Sequence, residues 1–203
     1  MNRLYEFVEQ MCKDYNIDES HDLRHAKDCV ETAQSIMDYD VTPDEKEVIT
    51  YAAALHDCVD KKYANVSEAT EKVRTFLLQE GWPQERVQVI LDIINTMSYS
   101  YLNKQMVDGK AVFPNHGVYQ RAYHIVRQAD LLCSYKVERC YLYQKHIAPT
   151  MPEEEVWKRV NALFQSRVFK YVSNGWLSLP RAQAFVPNLV REAEKVLDSH
   201  HHG

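Results

Sequence analysis

A histidine and an aspartate stand side by side, His56-Asp57, at the end of the apolar run in YAAALHDCVDKKY (51–63). Two polar groups at such a place imply something that binds them. The run HDLRH (21–25) lies one helical hairpin earlier, and Asp130 interrupts the apolar stripe Val126, Ala129, Cys133, Val137 of another predicted helix. A carboxylate turned into a core without a partner is costly or takes up a proton, and a divalent metal removes that penalty. The set His25, His56, Asp57 and Asp130 suits one first-row ion such as Mn²⁺, Fe²⁺, Co²⁺, Ni²⁺ or Zn²⁺, with Mg²⁺ also in the expected range. Such an ion lowers the pKa of a water and polarises a phosphoryl oxygen at the same time. Each signal alone is weak. A lone histidine on an apolar face is more often a hydrogen-bonded core residue, and HxxxH also occurs on solvated faces. The joint pattern is what favours a metal site.

Spacing places these residues together. The midpoint between His25 and His56 falls on the predicted turn Asp40-Val41-Thr42. Each histidine is then about 15 residues from the turn, roughly 22 Å along its own helix, so two antiparallel helices bring them level. His56 continues the face of Ile49 and Ala52. The periodicity is helical almost throughout. Helices are expected over 2–15 and 21–38, the second capped by Asp18 or Ser20. Thr42-Pro43-Asp44-Glu45 is a capping-box start for a third, running to about 58. A fourth begins near Ser67 and ends at Gly81, and a fifth follows Trp82-Pro83. Residues 100–115, with Gly109 and Pro114, read as a loop. Long helices are expected at 116–146 and 152–173, and a last one near 180–198 that Pro187 should kink or split. The fold class is an all-α, single-domain helical bundle.

The bulk properties fit that reading. A chain of 203 residues with 45% hydrophobic and 26% charged residues is one ordinary globular domain. A net charge of −5 gives no overall attraction to nucleic acid or an anionic membrane. No apolar run has the length of a membrane span, and the start of the chain does not read as a signal peptide. The five cysteines form no C-x-x-C pair, so reduced thiols and a cytoplasmic location are expected. The segment 1–199 forms the domain, and His200, His201, His202 and Gly203 are left aside as a tag remnant or a tail.

The quoted residues resemble the HD-domain superfamily of metal-dependent phosphohydrolases, whose ligands run H…HD…D along an all-α core. The likeness covers about residues 20–137, with helices 138–199 completing the domain. HDLRHAKDC is similar to the GHDWxHxxRV segment of a bacterial nucleotide pyrophosphohydrolase-like branch, which maps the ligand to His25. AALHDCVDKKY resembles its LLHDxxDxKF run, INTMSYS (94–100) its IIxxISF segment, and QADLL (128–132) its ADRL segment. Asp28-Cys29 replaces the Arg-Val of that branch. Leu131-Leu132-Cys133-Ser134 replaces the rest of ADRLDA. These departures leave the four ligands intact and the substrate open.

The resemblance implies water attack on a phosphoryl group with no covalent intermediate, on a nucleotide or a related phosphate or pyrophosphate ester. Asp57 and Asp60 are the expected catalytic carboxylates, Asp60 orienting the water. Lys61, Lys62, Arg24, Asn95 and Ser98 are expected at the substrate. Cys58 is expected to pack as a small hydrophobe, and His124 to face away from Asp130. One rival is a catalytically weak HD module that binds a nucleotide or a protein partner. Another is nucleic-acid binding by WKRVNALFQSRVFKY (157–171), which is disfavoured. That segment reads better as an amphipathic helix with Trp157, Val160, Leu163, Phe164 and Val168 packed inward or against a second copy in a homodimer.

Overall fold

The computed structural model describes residues 1–108 and 111–200. Gly109 and Lys110, in the expected loop 100–115, and the tail residues 201–203 lie outside the described residues. Among those described, every regular element is helical and no β-strand is formed. No helix is long and apolar enough to cross a membrane.

Helix α1 (Asn2–Asp14) buries Leu4, Val8 and Met11. Helix α2 (Leu23–Ile36) starts two residues later than expected, because its cap is Asp22 rather than Asp18 or Ser20. The Asp22 carboxylate accepts from the backbone N–H groups of Arg24 and His25. Helix α3 (Pro43–Leu55) begins with the expected capping box, Thr42 and Glu45 each satisfying the other's backbone N–H. It stops at Leu55 instead of 58. His56–Val59 forms a tighter 3₁₀ turn, which re-aims the His56 and Asp57 side chains. Leu55 is fully buried immediately before this turn, so truncating it to alanine would cost about 2–5 kcal/mol.

Helix α4 (Val66–Gln79) is capped by Asn65. It gives way to Gly81, which takes the left-handed φ of 86° that glycine adopts without strain. Helix α5 (Gln84–Thr96) follows. The expected loop at 100–115 is in part ordered as the short helix α6 (Tyr99–Leu102) and a 3₁₀ turn at Asn103–Gln105. The expected long helix 116–146 is broken. A 3₁₀ turn at Gly117–Tyr119 leads into α7 (Gln120–Cys133), and a turn at Ser134–Lys136 separates it from α8 (Val137–Ile147). After that break, α8 carries Arg139 to within 4.0 Å of Asp57 and 3.7 Å of Asp130.

Helix α9 (Glu153–Ser166) buries Val156, Val160 and Phe164. Trp157 stacks on Tyr141 at a centroid distance of 4.6 Å, so the basic segment packs inward. Helix α10 (Pro180–Ser199) runs through Pro187 as one helix rather than splitting. It has no side-chain cap of its own. The Gln128 side-chain oxygen of α7 accepts instead from the N–H groups of Ser178 and Leu179, each at 2.9 Å. Helices α2, α3 and α7 pack on one another and form the centre of the molecule.

Candidate metal centre

Three elements deliver the four chemistry-bearing residues. His25 sits in the first turn of α2, His56 and Asp57 open the 3₁₀ turn after α3, and Asp130 lies near the end of α7. Asp57 Oδ2 is 3.3 Å from His25 Nε2 and 3.2 Å from His56 Nε2. Asp130 Oδ1 is 3.3 Å from His25 Nε2 and 3.7 Å from His56 Nε2. The mirrored depth of the two histidines is thus met, with ring centroids 5.2 Å apart.

The orientation of His56 is fixed from behind. Its Nδ1–H donates to the Ala53 carbonyl at 2.8 Å, which turns Nε2 to the cluster. A backbone carbonyl on the far nitrogen is how ligating imidazoles are commonly held. His56 Nε2 and Asp57 Oδ2 are both buried without a hydrogen-bond partner. Buried polar atoms are rarely left in that state, and a cation between them satisfies both.

The electrostatics agree. Burial opposes ionisation of Asp130, yet the His25 and His56 imidazoles beside it and the Arg139 guanidinium hold its carboxyl well below the usual carboxylate range. Asp57 is likewise held low against its burial, chiefly by His56 and His21. Burial disfavours the His56 imidazolium, but the two carboxylates outweigh it and raise its pKa. The site therefore draws positive charge. His25 goes the other way, lowered to about 4 by burial and by Arg139 despite its carboxylate neighbours.

Cys29 Sγ is 3.4 Å from His25 Nε2. The group His25, Cys29, His56 and Asp130 could hold a metal ion, its ligand atoms lying within 4.8 Å of one another. Sequence reasoning treated Cys29 only as a departure from a family pattern. Its position four residues after His25, on the same helical face, was the available signal. Burial pushes its thiol pKa up.

The cluster forms the floor of an open cleft of about 440 Å³, into which His56, Asp57 and Asp130 project. Asp60, Lys61, Lys62, Asn95 and Ser98 all line it. Asp60 accepts from the Lys62 backbone N–H at 2.9 Å and pairs with Lys62 Nζ at 3.1 Å. Lys62 also lies 5.1 Å over the Tyr143 ring. Burial works against its charge, but Asp60 and Asp57 more than compensate and raise its pKa. Asn95 donates to the Leu91 carbonyl, and Ser98 caps α6 by accepting from Tyr101 N–H.

Arg24 is a correction. It stands exposed on α2 and is not among the residues lining the cleft, because its neighbour His25 takes the inward face. Arg139 and Arg167, which the sequence did not single out, line the cleft instead. His21 is a neighbour rather than a member of the cluster. Its Nδ1 lies 2.6 Å from Ser20 Oγ and 2.9 Å from the Tyr63 hydroxyl. His124 faces away, beside Gln120 and against the Phe113 ring, and Cys58 is buried as expected.

In comparisons with known proteins, the chain matches no family model, no curated protein and no solved structure.

Proposed function

We propose that this protein is a divalent-metal-dependent phosphohydrolase of HD type, acting on a nucleotide or a related phosphate ester by water attack. The observation that carries the reading is the pair of buried atoms that form no hydrogen bond, His56 Nε2 and Asp57 Oδ2, in a cleft lined by Lys61, Lys62, Lys104, Arg139 and Arg167. His25, His56, Asp57 and Asp130 would hold the ion, in the order H…HD…D along the chain. When bound, the ion activates a water and withdraws charge from a phosphoryl oxygen. The chain's own groups do the rest. Asp60, one residue past the 3₁₀ turn, accepts a proton from the water and orients it. Lys62 pairs with Asp60 and adds positive charge where negative charge develops. Tyr99, Tyr101 and Tyr143 supply flat surfaces along the cleft for an organic group.

The test is a release assay for phosphate and pyrophosphate over a panel of nucleotides, run with Mn²⁺, Mg²⁺, Co²⁺, Ni²⁺ and Zn²⁺ in turn. Pyrophosphate released from triphosphates, or phosphate from monophosphates, supports the reading and names the branch of chemistry. Metal binding without turnover of any substrate would favour a module that only binds its ligand. That second reading draws on one observation, that both Asp60 oxygens are already engaged by Lys62.

A further inference from the structure

Two arginines from outside the metal-ligand segment meet the cleft, each anchored through its Nε–H with its terminal N–H groups left without a hydrogen bond among the described residues. Arg139, on α8, uses its Nε–H to donate to the carbonyl of Ser20. Ser20 is itself fully buried, with its hydroxyl on Asp18 and His21, so the guanidinium is fixed from behind. Its terminal nitrogens point at the carboxylates but do not bond them. They lie 3.7 Å from Asp130 Oδ1 and 4.0 Å from Asp57 Oδ2, beyond hydrogen-bond length. Among the described residues no acceptor takes the N–H groups of that fork. An arginine placed only to neutralise Asp57 and Asp130 would close those distances.

Arg167, just past α9, is held in the same manner. Its Nε–H donates to the Tyr171 hydroxyl at 2.9 Å and its guanidinium carbon lies 3.7 Å over the Tyr99 ring. Its terminal N–H groups also form no hydrogen bond among the described residues. Both arginines line the same cleft as the carboxylates. The lysines differ. Lys62 is tied to Asp60, and Lys61 and Lys104 are exposed. Five cationic side chains face three carboxylates in the cleft. The excess of two positive charges becomes four with a divalent ion, and a phosphate group carries about −1.5 to −2 at neutral pH.

We infer that Arg139 and Arg167 form a two-guanidinium subsite that grips the non-attacked oxygens of the substrate's phosphate, Arg139 next to the carboxylates and Arg167 farther along the wall. A planar fork with paired donors matches a tetrahedral oxyanion better than a lysine does. The inference rests on the phosphohydrolase reading above. It moves the anion-holding role from Lys61 and Lys62, which adjoin the ligand motif, to α8 and the end of α9.

The experiment measures two affinities separately by titration calorimetry, Mn²⁺ for the metal-stripped protein and inorganic phosphate for the stripped and the Mn²⁺-loaded protein. Arg139→Gln and Arg167→Gln should each weaken phosphate about 10- to 100-fold while leaving Mn²⁺ binding intact, tightened if anything in Arg139→Gln. Arg139→Lys should recover only part of the phosphate affinity. Phosphate affinity unchanged in both glutamine variants, with Mn²⁺ still bound, would overturn the subsite and leave the metal reading standing. A wild type that takes up no Mn²⁺ but loses phosphate in both variants would do the reverse. Should Arg139→Gln not fold, judged by its circular dichroism melt, Arg167→Gln carries the same decision.

Discussion

Helices α3 and α7 carry a cluster of charge at each end, and the two clusters are built in opposite ways. At their N-terminal ends Glu45 meets Arg121, with Oε2 2.7 Å from the guanidinium and a second contact at 3.0 Å. The same carboxylate caps Thr42, and Arg121 reaches on to Asp40. Every acceptor there has a donor. About 18 Å farther along α3, at 1.5 Å per residue, Asp57 and Asp130 face two imidazoles and a guanidinium that stays just out of bonding range. Two of the buried atoms there, His56 Nε2 and Asp57 Oδ2, form no hydrogen bond. The first cluster holds helices together. The second leaves buried polar atoms without hydrogen bonds, and its group of side chains could hold a metal ion.

The largest effect should come from breaking the incomplete end. Asp57→Ala removes one of four ligand groups and should abolish both metal content and turnover. Asp57→Asn, which keeps the shape, should lose metal as well, yet its melting temperature in chelator should stay within about 2–4 °C of wild type, the shift expected for a change below about 1 kcal/mol. Metal analysis beside calorimetric melts reads both quantities. An Asp57→Ala protein that kept full activity would end the metal reading outright.

Next in size is Asp60→Asn. Loss of a positioned general base lowers turnover by about 10²- to 10⁴-fold, and metal content should be unchanged because Asp60 lies outside the cluster of ligand atoms. Steady-state rates at matched metal occupancy decide the matter. A variant with wild-type turnover would return Asp60 to the surface role that its contact with Lys62 also allows.

Much of this division was visible in the residues themselves. The 42–45 capping box, the face of Ile49 and Ala52 leading to His56, and the mirrored depth of His25 are local or periodic signals, and the structure follows them. What the sequence did not carry was the effect of small backbone changes on direction. The 3₁₀ turn at His56–Val59 and the break at Ser134–Lys136 are each a few residues long, and helical periodicity passes over both. The second of these hid Arg139, which on an unbroken helix from 116 to 146 would have lain past Asp130 by nine residues, about two and a half turns farther on. Arg24 was chosen for its neighbour in sequence, and neighbours on a helix face different ways. Cys29 was legible by its spacing but not by its chemistry.

At the complete end, Glu45→Gln should destabilise the fold by about 1.5–3 kcal/mol, the worth of hydrogen bonds to a charged group, and leave Mn²⁺ affinity untouched. The pH dependence follows from the same carboxylate. The hydrogen bonds from Arg121 overcome the effect of burial and, with those from Thr42, lower the Glu45 pKa from 4.5 to about 2. A depressed carboxylate pKa contributes stability that is fully present above about pH 4.5 and fades as pH falls through about 2. Urea unfolding at pH 7, 4 and 3 should therefore show wild type and Glu45→Gln converging as the acid is increased. Other carboxylates titrate in the same window, so the difference between the two proteins, not either curve, is the measure. A gap that stayed constant from pH 7 to 2 would mean that Glu45 acts through shape alone, and that the two ends of α3 and α7 are less different than their hydrogen bonds imply.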